Sequence, residues 1–127
     1  MIQEVIDLPE WCGGNPLTVF LAKTSGTDSR FAVAADSNEV ASPSLELTYE
    51  PGSVEPGAYC SNATVISSIS NSYGDGVEDM TTGIVDVNGT SLDTKNPANN
   101  NPQLIGLRFP SLGVPKDTVI VLSLIHI

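Results

Sequence analysis

The chain has 127 residues, enough for one ordinary domain, and its 40% hydrophobic content supplies a core, so disorder is not the default reading. Five Lys and Arg stand against fifteen Asp and Glu, and the formal charge of -10 repels phosphate backbones and anionic lipid surfaces, which argues against a nucleic-acid partner. The five cations, Lys23, Arg30, Lys95, Arg108 and Lys116, are scattered along the sequence, and no basic stripe can be drawn from their order. The apolar runs are all far shorter than the roughly 20 residues that span a bilayer, so no membrane insertion is expected.

Met1-Ile-Gln-Glu lacks a basic and then an apolar region and does not read as a signal peptide. Ile2, Val5, Ile6 and Leu8 recur at helical spacing until Pro9, which predicts one short amphipathic helix over Ile2 to Leu8. After the turn Gly13-Gly-Asn-Pro16, the run Leu17-Thr-Val-Phe-Leu-Ala22 predicts a strand. A second strand follows at Phe31-Ala-Val-Ala-Ala35 beyond a polar loop. In Pro43-Ser-Leu-Glu-Leu-Thr-Tyr49, Leu45, Leu47 and Tyr49 alternate with polar residues, as a half-buried strand requires.

Residues 51–62 carry two Pro-Gly pairs and read as a linker, whose extended reach of about 30 Å would let the parts it joins stay apart. Beyond it, strands are expected at Thr64–Ile69, Gly83–Val87, Ser91–Asp93 and Leu104–Phe109, with loops over Ser70–Thr82 and Thr94–Pro102. Gly113-Val-Pro-Lys-Asp117 is a turn, and an apolar run follows from Thr118. Short strands with Gly, Pro, Asn and Asp punctuation and one brief helix predict a mainly β chain, a jelly-roll-like β-sandwich that is incomplete.

The last six residues, Leu122-Ser-Leu-Ile-His-Ile127, back-translate without strain into CTG TCT CTT ATA CAC ATC, a transposon end used in sequencing-library preparation. Residues 122–127 are accordingly expected to be adaptor read-through, with the natural sequence stopping near Val121. The competing reading is a genuine buried strand.

Ile2-Gln-Glu-Val-Ile-Asp-Leu-Pro-Glu-Trp11, Gly14-Asn15, Leu17–Leu21 and Pro43–Tyr49 together resemble the closing half of the DNRLRE-like jelly-roll modules repeated in large secreted bacterial proteins. The acidic cluster Asp75–Asp79, Gly106-Leu-Arg-Phe109 and Val114-Pro115 are similar to the opening half of such a module. The resemblance implies that residues 1–50 form the C-terminal half of one module and residues 63–121 the N-terminal half of the next. It implies a noncatalytic structural or adhesive repeat of a secreted or cell-surface protein, with neighbouring repeats and extracellular glycans as partners. The alternative is an accessory carbohydrate-binding module of a polysaccharide-degrading enzyme. The family pattern has Gly-Ala after the Pro115 turn, where this chain has Asp117-Thr118; Asp tolerates the left-handed conformation well enough to keep the turn.

Asp75, Glu78 and Asp79 are the candidate calcium ligands, because a hard cation takes carboxylate oxygens from a loop that Gly74 and Gly76 allow to curl. The spacing matches no EF-hand, and a solvated acidic loop is the competing reading; no other cofactor is expected. Cys12 and Cys60 could form a disulfide worth about 4 kcal/mol on the chain-entropy model, a pairing the surrounding turns permit without demanding. Trp11 reads as a core-filling residue in preference to a sugar platform, and no row of aromatic side chains is apparent. Arg108 is expected on the polar face of its strand, paired with an acid. The sequons Asn62-Ala-Thr64 and Asn88-Gly-Thr90 carry no weight without a eukaryotic source. With His126 alone in the suspect tail, no nucleophile and base can be partnered, so no catalysis is expected.

Overall fold

The computed structural model describes residues 2–11, 15–50, 63–69, 71, 73–115 and 117–127. Cys12, Cys60, the turn glycines Gly13 and Gly14 and the expected linker at 51–62 lie outside the described residues. The protein is mainly β and sandwich-like, and the described residues form one short N-terminal helix α1 (Ile2–Ile6) and nine strands. The strands are β1 (Leu17–Ala22), β2 (Phe31–Val33), β3 (Ser44–Glu50), β4 (Ala63–Ser68), β5 (Asp75–Asp79), β6 (Val85–Asp86), β7 (Ser91–Asp93), β8 (Gln103–Phe109) and β9 (Val119–His126).

Three antiparallel sheets result: four strands in the order β1-β8-β5-β6, three in the order β4-β3-β9, and the pair β2-β7. Each sheet takes strands from both sides of 51–62. The β3–β4 register, from Ser44↔Ser68 to Tyr49↔Ala63, brings the flanks of that segment together in one ladder. The alternation read from the sequence sets the faces. Leu17 and Val19 of β1, Leu45, Leu47 and Tyr49 of β3, and Ile105, Leu107 and Phe109 of β8 all point inward. They join Ile6, Trp11, Leu112 and Val114 in one buried apolar cluster, which is what holds the sheets together.

Helix α1 buries Ile2 and Ile6, four residues apart on one stripe. Between them in sequence, the Gln3 side-chain amide imitates a strand partner for the start of β9. Its Nε2 donates to Thr118 O at 2.9 Å, and its Oε1 accepts from Ile120 N–H at 2.7 Å. The turn before β9 has Gly113 at φ 68° and Asp117 at φ 62°, so Asp117 adopts the left-handed conformation, which Asp tolerates better than most residues.

Three expectations are corrected. The loop over Ser70–Thr82 contains β5, a strand paired on both sides, with β8 and with β6. Asp and Gly are poor strand formers and only Val77 is apolar, so the local signal was overridden by position between two neighbours. The second strand ends at Val33, because Ala35 N–H leaves the ladder for the carboxylate of Asp75 at 2.8 Å. The strand expected over Gly83–Val87 pairs only at Val85 and Asp86.

Strand β9 forms, but not as a buried strand. It pairs with β3 from Ser44↔His126 to Glu50↔Val119 with a bulge at Thr48/Tyr49. Val121, Leu122 and Leu124 are 52%, 43% and 42% exposed, and of its eight residues only Ile120 and Ile125 reach the core. Among the described residues no helix is long and apolar enough to cross a membrane.

Candidate functional site

The outward face of the four-stranded sheet follows from its register. Thr18 lies beside Arg108, Phe20 beside Gly106, and Ala22 beside Leu104. On the other side of β8, Gly106 faces Gly76 and Leu104 faces Glu78. In the middle row two adjacent glycines, Gly106 and Gly76, leave a hollow between the side chains of Phe20 and Val87. The hollow encloses about 240 Å³, and Phe20, Tyr73, Arg108, Glu78, Val85 and Val87 stand around it.

A Cβ on Gly106 would touch the Phe20 ring at 3.5 and 3.7 Å, so that ring lies across its glycine. A Cβ on Gly76 would meet Asp86 O at 3.0 Å and Val87 Cγ1 at 3.1 Å, tighter than a side chain tolerates without displacement. Close approach therefore requires glycine at 76, whereas at 106 a Cβ would make only ordinary contact, and together the two glycines make the floor of the hollow flat and apolar. Phe20 and Tyr73 remain 65% and 79% exposed, offering two ring faces to solvent. Arg108 and Glu78 stand in the rows on either side, supplying guanidinium donors and carboxylate acceptors.

This juxtaposition was not read from the sequence, where Phe20, Tyr73 and the glycines look isolated. The signal available was Gly106 at the centre of the expected strand Leu104–Phe109, since glycine inside a strand marks a bulge or a close approach; Gly76 fell in the expected loop Ser70–Thr82 and gave none. Arg108 is on the outward face as expected, yet among the described residues no acid pairs with it.

The candidate calcium ligands do not share a loop. They alternate along β5, with Asp75 and Asp79 turned inward and Glu78 outward. Four residues of strand place Asp75 and Asp79 about 13 Å apart at roughly 3.3 Å per residue. Among the described residues no group of three acids, histidines or cysteines is disposed to hold a metal ion.

Both inward acids hold backbone. Burial pushes the Asp75 carboxyl above the usual range, the Ala35 N–H pulls it partly back, and Asp36 raises it further. Asp79 goes the other way, chiefly because the Asn101 amide donates to it at 2.8 Å. Its other oxygen accepts Thr81 N–H at 2.9 Å and Thr82 N–H at 3.0 Å, fixing the turn that leads to β6.

Trp11 is buried, and its Nε1–H donates to Val114 O at 2.9 Å, which makes it a core residue. His126 lies 3.0 Å from Glu46 on the three-stranded sheet, remote in register from the glycine-floored hollow. Comparison of the chain with protein-family models, with curated proteins and with solved structures finds no match.

Proposed function

We propose that this chain is a noncatalytic adhesive module of a secreted or cell-surface repeat protein, binding a saccharide ring on the outward face of its four-stranded sheet. The observation that carries this reading is the hollow floored by Gly76 and Gly106, with the exposed rings of Phe20 and Tyr73 at its walls. A pyranose presents an apolar face of C–H groups and a rim of hydroxyls. Aromatic rings stack on the former, while Arg108 and Glu78 bond the latter. The resemblance of both halves of the sequence to DNRLRE-like jelly-roll modules supports the same assignment, and with it an extracellular setting.

The reading as a plain structural repeat is favoured by a different observation. Asp75 and Asp79, the acids that a metal or a reaction would recruit, are engaged in fixing the turns at Ala35 and Thr81–Thr82. A glycan array probed with the whole chain separates the two. An adhesive module gives signals that fall with Phe20→Ala and with Gly106→Val, which fills the hollow; a spacer binds nothing.

A further inference from the structure

The sequence scatters five cations through an acidic chain, but the fold gathers three of them. Lys23 follows Ala22, which pairs with Leu104 of β8, and Lys95 bridges to Pro102 just before that strand. The two lysines therefore flank the same short stretch of chain. Arg30 joins them because the β2–β7 ladder continues past its end: Thr94 N–H donates to Arg30 O at 2.8 Å, and Arg30 N–H donates to Thr94 Oγ1 at 3.0 Å. Lys23 and Lys95 are half-buried.

Two adjoining hollows of about 370 and 390 Å³ lie here, sharing Lys23, Thr24, Ser25, Gly26 and Thr94. Lys95 lines the first, and Arg30 lines the second together with Asp28. Among the described residues no carboxylate forms an ion pair with Lys23, Arg30 or Lys95. In a chain with three acids for every base, three uncompensated cations in one place are the departure to be explained.

From this cluster we propose an oxyanion site that takes a sulfate or phosphate group, free or as an ester. The charge balance at the hollows is three cations against Asp28. The donors are the Lys95 ammonium, the Lys23 ammonium beyond the one hydrogen it gives to Asp28 O, the Arg30 guanidinium and the hydroxyls of Thr24 and Ser25. Thr94 Oγ1 already accepts from Arg30 N–H, so its own hydrogen is free to point outward. Gly26, at φ 87° with open space where a Cβ would be, keeps the loop backbone bare beside the lysines. The site is separate from the glycine-floored hollow and does not depend on the saccharide reading.

The test is a titration of the isotopically labelled chain with inorganic sulfate, inorganic phosphate and glucose 6-sulfate, against chloride at matched ionic strength, followed by amide NMR. Saturable shifts confined to residues 23–30 and 94–95 are expected. Lys95→Gln should weaken the apparent affinity at least ten-fold, and Lys95→Arg, which keeps the charge, should restore most of it. The ammonium of Lys95 enters none of the described hydrogen bonds, so its replacement leaves the loop intact. Binding of glucose 6-sulfate as tightly as the free anions marks an ester site, and preference for the free anions marks a site for the ion itself. Shifts that grow linearly without saturating, or that survive Lys95→Gln unchanged, overturn the proposal.

Discussion

The carboxylate of Asp75, inside the four-stranded sheet, accepts the backbone N–H of Ala35 at 2.8 Å from a residue forty positions earlier. This bond turns the chain out of β2 and joins it to β5, so a residue read as a candidate calcium ligand, or else as part of a solvated acidic loop, is a tie across the fold.

Removing that tie by Asp75→Ala leaves a buried N–H without an acceptor, at a cost of about 1–3 kcal/mol. Urea denaturation at neutral pH measures it. Stability within 0.5 kcal/mol of the parent would show that Ala35 finds another acceptor.

The two inward acids of β5 should give stability opposite slopes with pH. The Asp75 carboxyl has its folded pKa above the unfolded value, so its contribution is full below the unfolded pKa and is lost as pH rises through the folded one. For Asp79 the folded pKa is depressed, so its contribution is present above the unfolded pKa and is lost as pH falls through the folded one. Chemical denaturation of Asp75→Asn and Asp79→Asn across the acidic range should therefore show the pH slope shifting in opposite directions. Shifts of the same sign would contradict the assigned environments.

The glycines in and beside β5 and β8 should differ in their tolerance of a methyl group. A Cβ on Gly106 makes ordinary contact with the Phe20 ring, whereas one on Gly74 would meet Ile69 Cγ2 at 2.6 Å. Gly106→Ala should keep the parent stability within about 1 kcal/mol, while Gly74→Ala should lose about 1–3 kcal/mol through overpacking. Thermal melts of the two variants side by side decide this.

Trp11 is the single tryptophan, so its fluorescence reports one place. Emission in the folded chain should be blue-shifted by burial. Trp11→Phe, which removes the donor to Val114 O, should cost about 1–3 kcal/mol, mostly from the orphaned carbonyl and lost packing. Emission like that of free tryptophan under native conditions would place the ring in solvent.

Ending the chain at Val121 should remove exposed apolar surface while sacrificing little core. Within 122–127 only Ile125 packs against the buried cluster, and a half-buried isoleucine contributes about 1–1.5 kcal/mol by area. The 121-residue chain should unfold cooperatively and aggregate less than the full chain in light scattering. Loss of the cooperative transition would mean that the pairing of β9 with β3 is essential.

Much of the fold was legible in local pattern. The alternation in Leu45, Leu47 and Tyr49 and in Ile105, Leu107 and Phe109 marks strands with one apolar face, because a period of two puts every second side chain on the same side. The helix stripe of Ile2 and Ile6 and the turn over Gly113–Asp117 were readable for the same reason: each is a property of a few adjacent residues. Strand β5 was not, since its acids and glycine oppose strand formation locally and only the flanking strands β8 and β6 impose it.

The sites were hidden more completely. Phe20 and Tyr73 reach one hollow, and Lys23, Arg30 and Lys95 one cluster, only because antiparallel registers place residues tens of positions apart side by side. By itself, the sequence determined the mainly β class and which face of each strong strand is apolar, since these depend on local periodicity. The tertiary structure alone decided which strands are neighbours. That choice is set by long-range burial, and it determines which charges and rings meet.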